Sequence, residues 1–349
     1  MPPFFPDLEL VSSPPIKRAA YSDRTAYIMA ELSRLVYEIL PAEGKTVESS
    51  ASASQDESPP EGSGAESAAS SDSDSPQQRQ IVTEVLAGTR FEFVSEFVAG
   101  DSEAMLVKLG ESEESEGMLI LVFRGTQADS DIDMATDLKA DLVHASVGGR
   151  VHRGFMEAFD KIRAQIESAL AEQDKRLPLY ITGHSLGGAL AMVATRYLAP
   201  ESQGATYTFG CPRAADDEFY EPLKTPVYRV VNAADGITRV PFGRGLVYFL
   251  TLVWLIPFVG PQISEWIRRR YVGYTHHGSM ILLNVPRCRE ESDCDPLEKL
   301  VVRKSPGILW HLAVVVPRLI RTLGKATVAD HDSEAYSTKL LAYAQRRNR

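Results

Sequence analysis

Cysteine is scarce in this chain of 349 residues: Cys211, Cys288 and Cys294 are the only three, and no metal-ligand spacing relates them. No metal and no cofactor is expected, and Cys288 and Cys294 read as reduced thiols rather than as the ends of a closed loop. Met1–Leu10 has neither a basic n-region nor an apolar h-region, so no secretory signal is read and cytoplasmic residence is the expectation. Positive charge is in deficit as well: 37 Lys and Arg face 47 Asp and Glu, a net charge of −10, with no extended basic stripe. Nucleic acid is therefore not an expected partner. Between Glu48 and Gln80 almost nothing apolar larger than alanine occurs, and such a segment cannot bury enough surface to offset its chain entropy.

What remains suits one large core, since 44% of the residues are hydrophobic and the length is short for two full enzymatic domains. The chain divides into a leader and packing helix (1–47), a disordered acidic Ser-rich insertion (48–80) and an α/β catalytic domain (81–349). Ser22 to Glu38 opens with capping chemistry and sets Ile28, Leu32, Leu35 and Val36 on one helix face. Phe91–Val98 and Glu103–Leu109 read as paired strands around Gly100-Asp101, followed by an apolar strand, Met118–Phe123.

The most informative stretch is Leu177–Leu198. A short apolar run suited to a buried strand leads into Gly183-His184-Ser185-Leu186-Gly187, and small and aliphatic residues at helical spacing follow. A serine hydroxyl is a poor nucleophile until a base takes its proton, so Ser185 must stand on a sharp strand-to-helix turn, which Gly183 and Gly187 allow to close. The first amides of the helix point toward the site, where the Leu186 N–H can bind a developing oxyanion. Val227–Asp235 runs from an apolar strand into a loop, and Asp235 sits where the acid that orients a catalytic histidine is needed. Its rivals Asp216 and Asp217 suit the cap of the next helix better. For the base, His331 on a loop opening the last helix is preferred over His276 and His277, which lie at a strand entry. Serine, aspartate and histidine then follow the hydrolase chain order.

Gly183-His-Ser-Leu-Gly-Gly-Ala189 resembles the elbow of the class 3 lipases, the α/β hydrolases that include the filamentous-fungal triacylglycerol lipases. The resemblance runs over roughly residues 85–345. It implies an α/β-hydrolase fold: a mixed, mostly parallel sheet flanked by helices. Arg124-Gly125-Thr126 is similar to the family's strand end that supplies the second oxyanion donor, which falls here to Thr126. Residues 127–142 match the place of the family's amphipathic lid, although Ala135 stands where a tryptophan is often found. Val151-His152-Arg-Gly-Phe155 and Phe209-Gly-Cys-Pro-Arg213 are similar to two further family motifs, with His152 structural. The family's Tyr-x-His-x-Gly, here Tyr274–Gly278, is also structural, and its catalytic histidine comes near the C-terminus in an Asp/Ala-His…Tyr context.

Gly245–Ser264 has no charge and is long enough to span a bilayer, but one crossing would part Asp235 from His331. It is expected to form an apolar cap near the site mouth, with Arg268, Arg269 and Arg270 beside it, making peripheral membrane or lipid-interface contact through 245–270. The resulting expectation is a serine hydrolase cleaving carboxylic esters of lipids. The alternatives are a phospholipase A1 or other acyl-lipid hydrolase, and a non-catalytic scaffold that binds a lipid or a protein.

Overall fold

The computed structural model describes residues 3–12, 14–16, 20–39, 76–112, 117–125, 141–240, 261–263, 273–286, 295 and 297–348. Thr126, the lid stretch 127–140, the insertion 48–75, Cys288, Cys294 and all of 245–270 except 261–263 lie outside the described residues.

Among the described residues, ten strands form one eight-stranded sheet and one small hairpin. Strands β1 (Phe91–Ala99), β2 (Ser102–Leu109) and β3 (Met118–Phe123) come first. The hairpin of β4 (Leu142–His144) and β5 (Arg150–His152) follows, and then β6 (Leu179–His184), β7 (Thr206–Phe209), β8 (Val227–Asn232), β9 (Ser279–Asn284) and β10 (Val301–Lys304). The large sheet runs β1-β2-β3-β6-β7-β8-β9-β10, with β3 through β9 parallel and antiparallel strands at both edges. All six residues of β3 and all six of β8 are buried, as strands covered on both faces must be.

Each face has its own core. On one, α4 (Arg153–Ala171) and α5 (Leu186–Leu198) bury Phe155, Phe159, Ile162 and Leu190 against Leu106, Leu121 and Ile181. On the other, α2 (Asp23–Ile39) packs beside α9 (Ser333–Arg347), burying Tyr27, Ile28 and Leu32 with Tyr336, Leu340 and Ala344. Helices α1 (Leu8–Ser12) and α3 (Pro76–Leu86) line the rim of this second face. Short α6 (Asp217–Tyr220) and α8 (Ala326–Ala329), and the longer α7 (Ile308–Arg321), complete the set.

The helix at 23–39 buries Ile28, Leu32, Leu35 and Val36 as expected, and a further side with them: Met29, Glu31, Ser33 and Arg34 are buried too. The reason lies in the polar pairing, because Arg34 meets Glu31 at 2.9 Å and Ser337 donates to Glu31 at 2.5 Å, which lets α9 cover the charged side. One expected boundary moves: of the Ser-rich segment read as 48–80, the last residues, 76–80, belong to α3. Pro76 suits the first turn of a helix, and Val82 and Leu86 anchor it in the core.

His152 closes β5 and caps α4, its Nδ1 accepting the Phe155 N–H at 3.4 Å. That role needs Nδ1 unprotonated, which places the proton on Nε2, a buried atom with no acceptor among the described residues. Burial holds its pKa at about 4, against an ordinary 6.5. The unfolded chain therefore takes up a proton near pH 6.5 that the native chain refuses until about pH 4, and stability present above 6.5 is lost as pH falls across that window. Urea-unfolding midpoints should drop from pH 6.5 to pH 4, and less steeply in His152→Asn, which keeps a capping oxygen but does not titrate.

Candidate active site

Parallel strands bring their carboxyl ends to one edge of the sheet, and the three candidate residues depend on this. Ser185 follows β6, Gly210 follows β7 and Ala233–Asp235 follow β8, so the nucleophile and the acid stand two strands apart with Gly210 between them. His331 arrives from the opposite direction, on the turn between α8 and α9.

Ser185 holds φ +55°, ψ −126°, a conformation L-residues seldom adopt, and it is fixed there by a hydrogen bond from its N–H to the Phe209 carbonyl at 2.9 Å. The turn exists because backbone meets backbone at three glycines. A Cβ on Gly183 would strike the Gly187 backbone, one on Gly187 would strike the Phe123 carbonyl, and one on Gly125 would strike Tyr37 and the His184 carbonyl. The end of β3 is thereby pressed against the start of α5. Leu186 is the first residue of that helix, so its N–H has no acceptor within the helix. Thr126, the residue after Gly125, lies outside the described residues.

The structure brings Ser185, His331 and Asp235 together. His331 Nε2 lies 2.8 Å from Ser185 Oγ, and Nδ1 lies 3.1 and 3.0 Å from the two Asp235 oxygens. All three residues are buried, Asp235 completely. The Asp235 carboxylate also accepts from Tyr336 Oη at 2.6 Å and from the Ile237 N–H at 2.9 Å, so its charge is met by three donors. The rivals are engaged elsewhere. Asp216 caps α6 by accepting from the Phe219 N–H and pairs with Arg150 at 2.9 Å. His276 hydrogen-bonds the Thr238 carbonyl at 2.7 Å, and its pKa is held far below the ordinary value by burial and then by the charges of Arg229 and Arg213. His277 stacks on Tyr220. Burial pushes the Cys211 thiol up to about 12, so it stays protonated at neutral pH.

Around this line stands a set of supports that sequence reasoning did not assign. His184 Nε2 donates to the His331 carbonyl at 2.6 Å, and Tyr37 Oη meets His184 Nδ1 at 3.1 Å. Burial and the neighbouring His331 hold His184 neutral, as that tautomer needs. Asp330 ties the acid loop to the histidine loop: its carboxylate accepts the Ala234 N–H at 3.0 Å and the Arg318 guanidinium, while its carbonyl accepts Asn232 Nδ2 at 2.9 Å. Tyr336 Oη accepts the Asn232 N–H at 2.9 Å while donating to Asp235. The only sequence signals for these residues were Tyr336 within the His…Tyr context and His184 within the elbow.

Gly210 (φ +60°) is packed directly on the pair, since a Cβ there would come within 2.8 Å of the His331 ring and 2.9 Å of Asp235 Oδ2. Labelling of Ser185 by a fluorophosphonate, a probe of activated serine hydroxyls, should slow by about a hundredfold or more in Gly210→Ala. In Tyr336→Phe, which removes one hydrogen bond to a charged group, it should slow by about tenfold. Unchanged labelling in both variants would contradict the geometry.

Comparison with known proteins adds a family match over part of the chain. Residues 120–245 match the model of the family described as Lipase (class 3). A lipase of Rhizomucor miehei is 30% identical over 159 residues, covering 40% of this chain and 41% of that one. The phospholipase A(1) DAD1, chloroplastic, of Arabidopsis thaliana is 28% identical over 180 residues, covering 44% and 39%. Among solved structures, the lipase of Rhizopus microsporus var. chinensis aligns with a TM-score of 0.46 at 19% identity, over 72% of this chain and 76% of that one. The chain thus spans about two fifths of the length of these two curated relatives. The segment that matches the class 3 lipase family contains the elbow, Ser185 and Asp235.

Proposed function

We propose that the protein is a serine hydrolase that cleaves carboxylic esters of lipids through an acyl-enzyme, with Ser185 as nucleophile, His331 as base and Asp235 as the orienting acid. The observation that carries this reading is the single hydrogen-bonded line from Ser185 Oγ through the His331 ring to Asp235. As Oγ attacks the ester carbonyl carbon, its proton passes to His331 Nε2, and the buried carboxylate stabilises the imidazolium that forms. The tetrahedral oxyanion falls to the Leu186 N–H at the start of α5 and, by the family resemblance, to Thr126. Collapse breaks the ester C–O bond, and the departing alkoxide takes the proton from Nε2. Water then repeats the sequence on the acyl-enzyme, giving up a proton to His331 and releasing the carboxylic acid.

A lipid ester is favoured because the family is one of lipases and because the relatives carry such names, from the Rhizomucor lipase to a mono- and diacylglycerol lipase of Fusarium solani. The phospholipase A(1) among the relatives supports a second reading, an ester of a phospholipid. A non-catalytic scaffold is disfavoured, since a binding module has no need to satisfy a buried Asp235 with three donors and to aim a histidine at a strained serine. Interfacial contact through 245–270 belongs to the same reading.

Hydrolysis of glycerol esters and phospholipids, with acyl chains from short to long, tests it in wild type, Ser185→Ala and His331→Ala. Activity on long chains that falls by roughly four orders of magnitude in either variant supports the reading, and the preferred headgroup decides between glyceride and phospholipid. A folded wild type that turns over none of these esters overturns it.

A further inference from the structure

The helix α7 lies between β10 and the loop carrying His331, and it packs against the site. Its inner residues Val315 and Leu319 cover Ala234, next to Asp235, together with Ala326 of α8. Arg318 reaches back to Asp330. The side of the helix adjoining Val315 and Leu319 is bare. Leu309 is 84% exposed, Leu312 50%, Val316 43% and Ile320 69%, and Leu323, just beyond the helix end, is 89% exposed. At 100° per residue Leu309, Leu312, Ala313, Val316 and Ile320 fall within an arc of about 100°, a continuous apolar stripe turned to solvent that Leu323 follows past the helix end. Scattered exposed aliphatic residues are ordinary; a whole helix face of them marks an interaction site.

Charge identifies the occupant. Between Glu298 and Asp330 the chain carries six basic residues and no acidic one; Arg318 is paired with Asp330, and Lys299, Arg303, Lys304, Arg321 and Lys325 remain, within a protein of net charge −10. Arg303 lies over the Trp310 ring at 4.5 Å, leaving an aromatic and a cation side by side at the edge of the stripe. An apolar stripe flanked by cations and a tryptophan fits the boundary between acyl chains and anionic headgroups. Length sets the orientation. α7 has 14 residues, about 21 Å at 1.5 Å each, whereas spanning a bilayer takes about 20 residues, and no described helix is long and apolar enough to cross a membrane. Pro317 within it further disfavours a continuous span.

We infer that α7 lies in the surface of an anionic bilayer, with Leu309, Leu312, Val316, Ile320 and Leu323 among the acyl chains, and that this seats the Ser185–His331 site on its substrate. The inference rests on the lipid-ester reading for the nature of the substrate but is tested separately from it. Because Val315 and Leu319 pack beside Asp235 while the outer stripe enters lipid, docking brings the interface to within one helix diameter of the triad, about 10 Å.

Flotation of the full chain with phosphatidylcholine vesicles, with and without phosphatidylserine, is the test. Wild type should float with the phosphatidylserine vesicles. The double variant Leu309→Glu/Ile320→Glu should lose binding by at least about tenfold, and Arg321→Gln/Lys325→Gln should lose chiefly the phosphatidylserine-dependent part. Both should keep wild-type labelling of Ser185 by a fluorophosphonate and wild-type turnover of a soluble short-chain ester, since neither touches the triad. Flotation of the Leu309/Ile320 variant equal to wild type overturns the inference, as does a wild type that does not float. A wild-type dimer that the same substitutions make monomeric, with flotation unaltered, would assign the stripe to a second copy instead. Failure of short-chain ester turnover in wild type counts against the hydrolase reading and leaves the flotation result to stand on its own.

Discussion

The hydrogen bonds between the His331 ring and the Asp235 carboxylate are the contact on which the rest of this structure converges. They join residues 96 positions apart, and they can form only if the end of β8 and the turn before α9 are held together by something other than the pair itself. A buried carboxylate left without donors would cost far more than the pair returns, so the surrounding backbone has to satisfy it. Tyr336, the Ile237 N–H and His331 do so, and Tyr336 is in turn fixed by Asn232. The same helix that presents Tyr336 buries Leu340 and Ala344 against α2, so the packing of the second core and the electrostatics of the acid are one constraint.

A second tier works on the backbone of His331 rather than on its ring. His184 donates to the His331 carbonyl, and Asp330 holds Ala234 and Arg318 at once. His184, the residue before Ser185, therefore positions His331, and Asp330, the residue before His331, positions the loop of Asp235. Such reciprocity gives the network its rigidity, because shifting the backbone at His331 or at Ala234 breaks a bond made by a side chain of another loop. It also explains why His184 has to be neutral: a proton on Nδ1 would turn the acceptor of the Tyr37 hydroxyl into a second donor.

Much of this was legible in the sequence, and the reasons are specific. The elbow could be read because its chemistry is local: a strand, a turn that only glycine closes, and a helix occupy one continuous stretch, and the atoms a Cβ would strike at Gly183 belong to Gly187, four residues on. Asp235 could be read because the position after a buried strand is itself a local property. His331 required a choice among histidines, which topology decides, since His276 is consumed by the Thr238 carbonyl at a strand entry. The supports were not legible, because nothing at Asp330, Asn232 or Arg318 differs from an ordinary polar loop until the chain is folded. The helix at 23–39 was legible in part for a related reason: periodicity reports its apolar face, and it cannot report that α9 covers the other side through Ser337 and Glu31.

The exposed stripe of α7 follows from the same division between local pattern and tertiary context. As a sequence, Ile308–Arg321 is apolar enough to belong in a core, and its inner residues do. A helix this apolar is normally enclosed, and here Val315 and Leu319 pack on Ala234 and Ala326 while the outer stripe stays exposed. The outer stripe is therefore left to whatever medium the site works in. Under the proposed function, in which the substrate stays in a lipid phase, that medium is the phase itself. On that reading the apolar face, anchored through Arg318 and Asp330 to the turn that carries His331, ties the orientation of the protein on a lipid surface to the way Ser185, His331 and Asp235 are held together.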